Sequence, residues 1–526
     1  MSAAATLRSK VGRPALVFAA ALAVGGCGNQ YRPVVSAINP IGPAGQPTKY
    51  AVAISSPSPT SQGIVTLIDF SGDTILNTTL IGVNPQYFIL APAGFEGYTL
   101  NGDGTLNSFS ISSSLLESQV LTSTLLTGST PISLYPQGSY VYIAEGSNVA
   151  QLAGLPPAVQ SELPTGANTI YTVGASSSPR AYALSQGTPG SKGTAVPIET
   201  VGNTTDAPIP VGIAPTYGVM SSDSRRAYIL NKGSNSVTVI NAQSNALDSF
   251  CIATTSSTCT TVGITGYSIA GNVIAFQTTA QTLTAGQTVE LSGFPTSTFL
   301  NSATFTVLPG VTSTSFTANY THTAVAATTE SGTGTLYSST VPVGIAPVWA
   351  DFAAILNEVV ILNQGNGTGP GSVSIISNPL CSQVTVVGNP NCDSTNPIDA
   401  VGFGQVVATI PVGVNPVMIS CLSDGTQCFV ANSGNSTTAG SVSVINLSTN
   451  TVVATIPGAN SDTNENDLFV HGHPNYIAAT TGTPTGKVYV TAPDSTDITI
   501  IRTDLDAVTT HLTLSGAGVS VRVTAP

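Results

Sequence analysis

Apolar and polar residues alternate at a period of two along most of the chain beyond about residue 48. The alternation is clearest in Ser236–Asn241, Ser372–Ser377 and Ser441–Asn446, where valine or isoleucine follows each small polar residue. Gly, Asn, Asp and Pro separate these runs, and no segment keeps a helical period. Short strands joined by tight turns have this pattern, so the sequence predicts an all-β fold.

The predicted strands recur in tandem units. The motif Val-Gly-x-x-Pro ends at Pro215, Pro347 and Pro416, and a fainter copy ends at Pro85. After the motif comes a run rich in Tyr or Val that ends in asparagine, as at Asn231, Asn363 and Asn432. The alternating run described above follows, and then a run of the Val-Ala-Thr-Ile-Pro type. Four short strands repeated about every 40–45 residues are the signature of a β-propeller blade.

Counting the units predicts eight blades. Their starts lie near Tyr87, Ile132, Ile170, Thr216, Val348, Val417, Asn475 and Gly518. Seven blades are the alternative, because the units before about residue 200 are degenerate. The final segment, Val519–Val523, is too short for a blade and is predicted to complete the first one, beside Tyr50–Ile54 and Ile64–Ile68. Closure of this kind removes exposed sheet edges.

One repeat spacing is too long for a single blade. Pro215 and Pro347 are 132 residues apart (347 − 215), where a blade needs about 45. The excess, 248–340, has strand signals of its own and is predicted to be a β-sandwich-like module inserted in a blade's outer loop. It weakly resembles an exported immunoglobulin-like module. The predicted propeller then comprises residues 49–247 and 341–526.

The repeats resemble those of the YVTN family of bacterial β-propellers. Units of that family read approximately Tyr-Val-Thr-Asn, then Val-Ser-Val-Ile-Asp, then Val-x-x-Ile-x-Val-Gly-x-x-Pro. The segment Val407–Gly458 matches at nearly every element, and Lys487–Thr491 matches too, although Ala492 stands where asparagine is expected. The resemblance is strong over roughly half of the chain. It implies the propeller fold and says little about chemistry.

The N-terminus has the layout of a secretory signal. Three basic residues, Arg8, Lys10 and Arg13, precede the apolar run Pro14–Val24, which is too short to span a bilayer. Residues 1–26 are therefore predicted to be a signal peptide. The proline-rich segment 27–48 is predicted to be an extended tether between the membrane and the propeller.

The segment Leu22–Cys27 resembles a bacterial lipobox. This resemblance implies that Cys27 is acylated and becomes the mature N-terminus, which would hold the protein on a membrane without a transmembrane helix. Gly28, in place of Asp, implies the outer membrane. The alternative is ordinary signal cleavage that leaves Cys27 as an unmodified thiol.

Seven cysteines are present, and Cys27 is set aside as the site of lipid attachment. The other six form three close pairs in the sequence: Cys251 and Cys259, Cys381 and Cys392, Cys421 and Cys428. Near-neighbour disulfides are the simplest of the fifteen pairings that six cysteines allow. Zinc is the alternative ligand of these cysteines, but the pairs lack Cys-x-x-Cys spacing.

Charged residues are scarce and mostly acidic. The 13 Lys and Arg against 25 Asp and Glu give a net charge of −12, with no basic cluster. Nucleic-acid binding requires clustered cations, so that class of partner is excluded. We expect a monomer.

His471 and His473 are the main candidates for metal chemistry. A His-x-His sequence on a strand would place both rings on one face, and Asp467 lies close enough in the sequence to complete a site. The alternative is a polar loop that happens to carry two imidazoles. A divalent metal here is the only cofactor that the sequence raises.

Three functional hypotheses remain. The first is a non-enzymatic, lipid-anchored propeller that binds or scaffolds an envelope protein or polysaccharide. It rests on the anchor, the low charge and the lack of a recognisable catalytic motif. The second is a hydrolase or lactonase, since some bacterial propellers with similar repeats have such activity. The third is a metal or redox accessory protein that uses His471 and His473.

Overall fold

The computed structural model describes residues 49–111, 120–126, 130–176, 178–251, 259–378, 406–459, 468–482 and 485–524. The predicted signal peptide, Cys27, the tether, Cys381, Cys392 and Asp467 lie outside the described residues. No helix in the described part of the chain is long and apolar enough to cross a membrane.

Forty-two strands and the short 3-10 helix Thr298–Leu300 lie among the described residues. Strands β1 to β10 are Tyr50–Ser56, Gln62–Asp69, Thr74–Val83, Pro85–Leu90, Glu96–Asn101, Thr105–Ser110, Leu121–Thr124, Ser133–Gln137, Tyr140–Ala144 and Gly146–Ala153. Strands β11 to β20 are Ala158–Val173, Arg180–Ser185, Lys192–Glu199, Thr204–Thr205, Ile209–Ile213, Pro215–Met220, Arg226–Asn231, Ser236–Asn241, Ala246–Leu247 and Phe250–Cys251. Strands β21 to β31 are Thr261–Ala270, Val273–Thr278, Thr288–Ser292, Thr304–Thr306, Ser315–Asn319, Val325–Thr328, Gly332–Ser338, Thr340–Pro342, Pro347–Ala353, Glu358–Asn363 and Pro370–Ser377. Strands β32 to β42 are Val406–Val414, Pro416–Cys421, Gln427–Asn432, Ser441–Asn446, Thr451–Ala459, Val470–His471, Tyr476–Thr480, Lys487–Thr491, Asp497–Arg502, Ala507–Thr513 and Ala517–Val523.

Antiparallel hairpins join most of these strands into sheets arranged around an axis. The sheets are β4–β7, β8–β15, β16–β19 with β28, β29–β32, β33–β37 and β38–β41, and a further sheet has the order β3-β2-β1-β42. The innermost strands contact one another in the order β4, β8, β11, β16, β29, β33, β38 and β42, and β42 contacts β4 again. This closed ring of sheets is a β-propeller.

Both ends of the described chain share one sheet, as the sequence predicts. Strand β42 pairs with β1, so that Val521 faces Ala53 and Arg522 faces Val52. The long strand β11 pairs with β10 along its first part and with β12 along its last part. The count of eight blades stays a prediction, because it depends on dividing the sheet β8–β15 at β11.

A buried asparagine, Asn231, links its sheet to the preceding one. Asn231, at the end of β17, accepts a hydrogen bond from the Gly212 N–H of the previous sheet at 3.0 Å. Its amide also donates to Thr238 of β18 at 2.9 Å. A Cβ on Gly212 would lie 2.6 Å from the Asn231 side chain, so only glycine leaves room for this contact.

The close packing of glycine against asparagine recurs along the chain, and there the asparagine amides bond to the next strand of their own sheet. The amides of Asn363 and Asn432 donate to Ser374 and Ser443 at 3.0 and 2.9 Å, and a Cβ on Gly344 or Gly413 would collide with these asparagines at 2.6 Å. The repeated glycine and asparagine of the sequence motif are therefore partners. The glycine packs against the asparagine, and each asparagine also donates a hydrogen bond across its own hairpin.

The insert forms a separate sheet with its own core. Strands β20–β27 make one eight-stranded sheet, with the path β24-β23-β27-β21-β22-β25. The two ends of this path meet, since the Leu308 N–H donates to the Thr317 carbonyl at 2.8 Å. Phe276, Phe294, Phe305 and Phe316 fill the interior. Strands lie where the sequence predicts them, at β22, β23 and β24.

Cys421 and Cys428 face each other across the β33–β34 hairpin and form a disulfide, which confirms that predicted pair. Cys259 is also disulfide-bonded.

We expect the substitution Asn231→Ala to lower the free energy of unfolding by about 2 kcal/mol, because it leaves the buried Gly212 N–H and Thr238 hydroxyl without their partner. Urea unfolding of the parent and the variant measures the difference. The exposed Gln243→Ala provides the control and should change stability by less than about 0.5 kcal/mol. Equal effects of the two substitutions would contradict the structural role of Asn231.

Candidate functional site

The innermost strands place a group of aromatic and charged side chains around the propeller axis. We call it the axial cluster, and it consists of Tyr87, Tyr171, Tyr217, Trp349, Asp351, Tyr476 and Arg522. These residues come from six different strands of the ring. Each of these side chains is partly exposed.

A backbone irregularity at the start of the inner strands directs the aromatic side chains. The pairing register shifts between Pro85 and Tyr87, between Pro215 and Tyr217, and between Pro347 and Trp349. A bulge of this kind redirects the residue that follows it. At these three prolines the residue two positions later is thus an axial residue, whereas after Pro416 the same shift leaves Met418 buried in the apolar core.

The rings contact one another in a continuous series. The ring centroids of Tyr171 and Tyr217 are 4.7 Å apart, and Tyr217 stacks on Trp349 at 4.1 Å with an interplanar angle of 20°. Trp349 meets Tyr476 edge to face at 6.2 Å. Such pairs add stabilisation beyond the burial of their area and hold each ring in a defined orientation.

Arg522 on β42 provides the positive charge of the cluster. Its guanidinium carbon lies 5.0 Å from the Tyr476 ring centroid and 5.7 Å from that of Trp349, which is cation–π geometry. Burial opposes the charge of Arg522, but the oxygens of Tyr476 and its neighbours raise its pKa above the ordinary arginine value. The guanidinium therefore stays charged.

Asp351 supplies the negative charge, but its oxygens are engaged by the backbone. Oδ1 accepts a hydrogen bond from the Phe352 N–H, and Oδ2 accepts one from the Cys421 N–H, both at 2.8 Å. Burial raises the pKa of Asp351, while these donors and Arg522 act in the opposite direction. The Asp351 carboxylate thus lowers the positive electrostatic potential around Arg522.

The axial tyrosines are neutral hydroxyl groups at physiological pH. Burial is the main cause that raises the pKa of Tyr87 and Tyr171 well above the usual tyrosine value, and it also raises that of Tyr217. Arg522 opposes the shift in each case. The cluster can therefore offer hydroxyl donors and acceptors, aromatic faces and one cation to a ligand.

A cavity of about 620 Å³ lies between the propeller and the insert. Strands β15, β18 and β28 form one side, and Thr288 and Thr306 of the insert contribute to the other. Its lining is mainly Gly, Ser, Thr and Pro, and Lys192 is its one cation among the described residues. This cavity lacks the aromatic and charged groups that make the axial cluster the stronger candidate.

The structure gives the two candidate metal-binding histidines different partners. His471 is buried, its Nδ1 lies 3.1 Å from the Asp497 carboxylate, and its ring stacks on His511 at 3.8 Å. His473 is half exposed and pairs with Asp494 at 2.5 Å. Strand β37 ends at His471, and Gly472 has a φ of 68°, so the two rings do not share a strand face.

No group of three His, Cys, Asp or Glu side chains is arranged to hold a metal ion among the described residues. A metal at His471 and His473 stays a prediction, and its third expected ligand, Asp467, lies outside the described residues.

The axial cluster was not predicted from the sequence. A signal was present, because an aromatic residue follows two positions after Pro85, Pro215, Pro347 and Pro474. Arg522 had no such signal, since its strand carries no copy of the motif.

No family model and no curated protein matches the chain. Among solved structures, it is similar to the dihydro-heme d1 dehydrogenase NirN, with 10% identity over 92% of this chain and 76% of that chain and a TM-score of 0.49. It is also similar to a putative 6-phosphogluconolactonase from Bacteroides fragilis, with 13% identity, 92% and 100% coverage and a TM-score of 0.44. A third is apo AztD from Citrobacter koseri, with 11% identity, 90% and 97% coverage and a TM-score of 0.37. At these values the similarities carry no functional argument.

The His473–Asp494 pair makes stability depend on pH. The hydrogen bond to Asp494 raises the pKa of His473, while partial burial opposes the shift. Its stabilisation is therefore complete below the unfolded-state pKa of about 6.5 and is lost as pH rises through the higher folded-state value. We expect His473→Gln to cost up to about 1 kcal/mol near pH 6 and much less near pH 8.5.

Urea midpoints of parent and variant at the two pH values measure this difference. His322→Gln, in the insert, is the control for loss of a histidine. A cost of His473→Gln that does not change with pH would contradict the ion pair.

Proposed function

We propose that the chain is a lipid-anchored binding protein of the bacterial cell envelope, and that the axial cluster is its ligand site. The propeller is the rigid support, and the insert widens the surface that it offers to a larger partner. In this proposal the propeller has eight blades. Binding, and not catalysis, is its function.

The axial cluster is the observation that carries the proposal. Ligand sites are concave, mostly apolar and fitted with a few directed polar groups. The stacked Tyr217 and Trp349 rings, the neutral tyrosine hydroxyls and Arg522 form such a combination at the centre of the ring. Side chains from six strands converge there, so the fold fixes their positions before a ligand arrives, which reduces the entropy lost on binding.

Location in the envelope is supported by the sequence of the N-terminus and by the cysteines. The lipobox-like segment Leu22–Cys27 supports acylation of Cys27. The Cys421–Cys428 disulfide is compatible with export, because such bonds persist mainly in oxidising compartments. Gly28 favours the outer membrane over the inner one by the same lipoprotein resemblance.

We expect Cys27→Ser to move the protein from the membrane fraction to the soluble fraction, because no acyl chain would hold it. Gly28→Asp is the matched variant and should keep the protein on a membrane but shift it to the inner one. Fractionation and the mass of the mature N-terminus measure both results. A Cys27→Ser protein that remains fully membrane-bound would overturn the lipid anchor.

We expect a ligand of the axial cluster to raise the thermal midpoint of the parent and to lose that effect in Trp349→Leu. A ligand at about 100 times its dissociation constant adds roughly 2.7 kcal/mol to the native state. The screen covers sugars, lactones, organic acids, divalent metals and cell-wall fragments, and Tyr320→Leu in the insert is the control. A ligand that stabilises parent and Trp349→Leu equally would place the binding site elsewhere.

A further inference from the structure

Arg522 is held in position by aromatic rings. Its guanidinium lies over Tyr476 and Trp349, and no hydrogen bond or ion pair joins it to any residue in the described ranges. Its Nε is buried without a hydrogen-bond partner. An arginine has five N–H donors in a fixed planar fork. These donors are therefore available to a group that enters the cluster.

Asp351 is not the hydrogen-bond acceptor for Arg522. Both of its carboxylate oxygens accept backbone N–H donors, from Phe352 and from Cys421. It lowers the local positive potential, but it leaves the N–H groups of Arg522 without an acceptor. A buried charge without hydrogen bonds is costly unless a partner satisfies it.

The geometry points to the partner. A planar guanidinium pairs best with a planar oxyanion that accepts two parallel hydrogen bonds. The cation–π contacts already fix the plane of Arg522, so little further order is lost when an anion binds. The surrounding rings favour a flat, apolar body on the same ligand.

Resting on the function proposed above, we propose that the axial cluster binds a small carboxylate with a flat ring, whose carboxylate pairs with Arg522 and whose ring lies against the axial aromatic side chains. The axial tyrosine hydroxyls provide additional donors to the carboxylate. The net charge of −12 makes this single cation the selective element, since most of the surface repels anions.

The chain contains its own probe of this site. Trp349 is the only tryptophan of the sequence and stacks within the axial cluster, so its fluorescence reports binding there without a label. Benzoate and benzamide form a matched pair of probes, because they share the ring and nearly the same shape but differ in charge. Titration of the purified chain with each compound gives two affinities.

We expect benzoate to bind at least about tenfold more tightly than benzamide, which corresponds to about 1.4 kcal/mol. Arg522→Gln should remove this preference, and Arg522→Lys should keep only part of it, because an ammonium cannot form two parallel bonds. Arg502→Gln is the control, since it removes an exposed arginine that pairs with Asp504 on the outer part of a sheet. If Arg522→Gln fails to fold, the ratio of the benzoate and benzamide affinities in the parent and in Arg522→Lys still tests the proposal.

Three other outcomes would contradict the carboxylate inference. Equal affinity for benzoate and benzamide, unchanged in Arg522→Gln, would overturn the carboxylate inference but leave the axial cluster as a binding site. Displacement of benzoate by inorganic phosphate but not by acetate would overturn the choice of a carboxylate in favour of a phosphate. If neither compound changes the Trp349 signal, the inference fails, while a hit in the thermal screen that Trp349→Leu abolishes would still support the proposed function.

Discussion

The contact between a motif glycine and a buried asparagine is the constraint on which the other features depend. Asn231 joins the third strand of its own sheet to the chain that arrives from the previous sheet, and it can do so only because Gly212 has no side chain. A few residues later the chain enters the inner strand at Pro215. The contact therefore fixes where this inner strand begins, and with it which side chain reaches the axis.

This constraint places the aromatic rings that hold an arginine at the axis. The bulges after Pro85, Pro215 and Pro347 direct aromatic rings toward the axis, where rings from several sheets contact one another. Aromatic faces stabilise a cation without consuming its hydrogen-bond donors. An ion pair with Asp351 would have stabilised the charge as well, but it would have occupied those donors. The observed arrangement holds the charged guanidinium in place and leaves its N–H donors without acceptors among the described residues.

The sequence was sufficient to predict the fold because the fold is repetitive. Alternation, turn residues and the recurring glycine and asparagine each appear several times, so a weak signal in one unit is supported by the others. The insert and the closure by Val519–Val523 followed from deviations in the same repeat. The sequence did not reveal what the repeated asparagines contact: the amides of Asn231, Asn363 and Asn432 donate across their own hairpins, and Asn231 also accepts a hydrogen bond from the preceding sheet.

The site was harder to predict because it is made of single residues from distant repeats. The Pro-x-aromatic pattern was visible, but its meaning depends on a bulge that alternation alone does not reveal. His471 and His473 failed to share a face for a related reason, since Gly472 interrupts the strand between them. Arg522 lies on an inner strand that carries no copy of the motif, so only the three-dimensional closure of the ring brings it to the aromatic residues.

The position of Arg522 on β42 links the axial cluster to the closure of the propeller. Arg522 lies on β42, which reaches the axis only when it pairs with β1 at the opposite end of the chain. A molecule that binds Arg522 together with Trp349 or Tyr217 therefore contacts strands on both sides of this closure. Because such a ligand binds only the closed ring, its binding free energy adds to the stability of the junction. Strand β42 thus carries the charged group at the axis. The same strand forms the junction of the two chain ends, which is the weakest point of a closed ring.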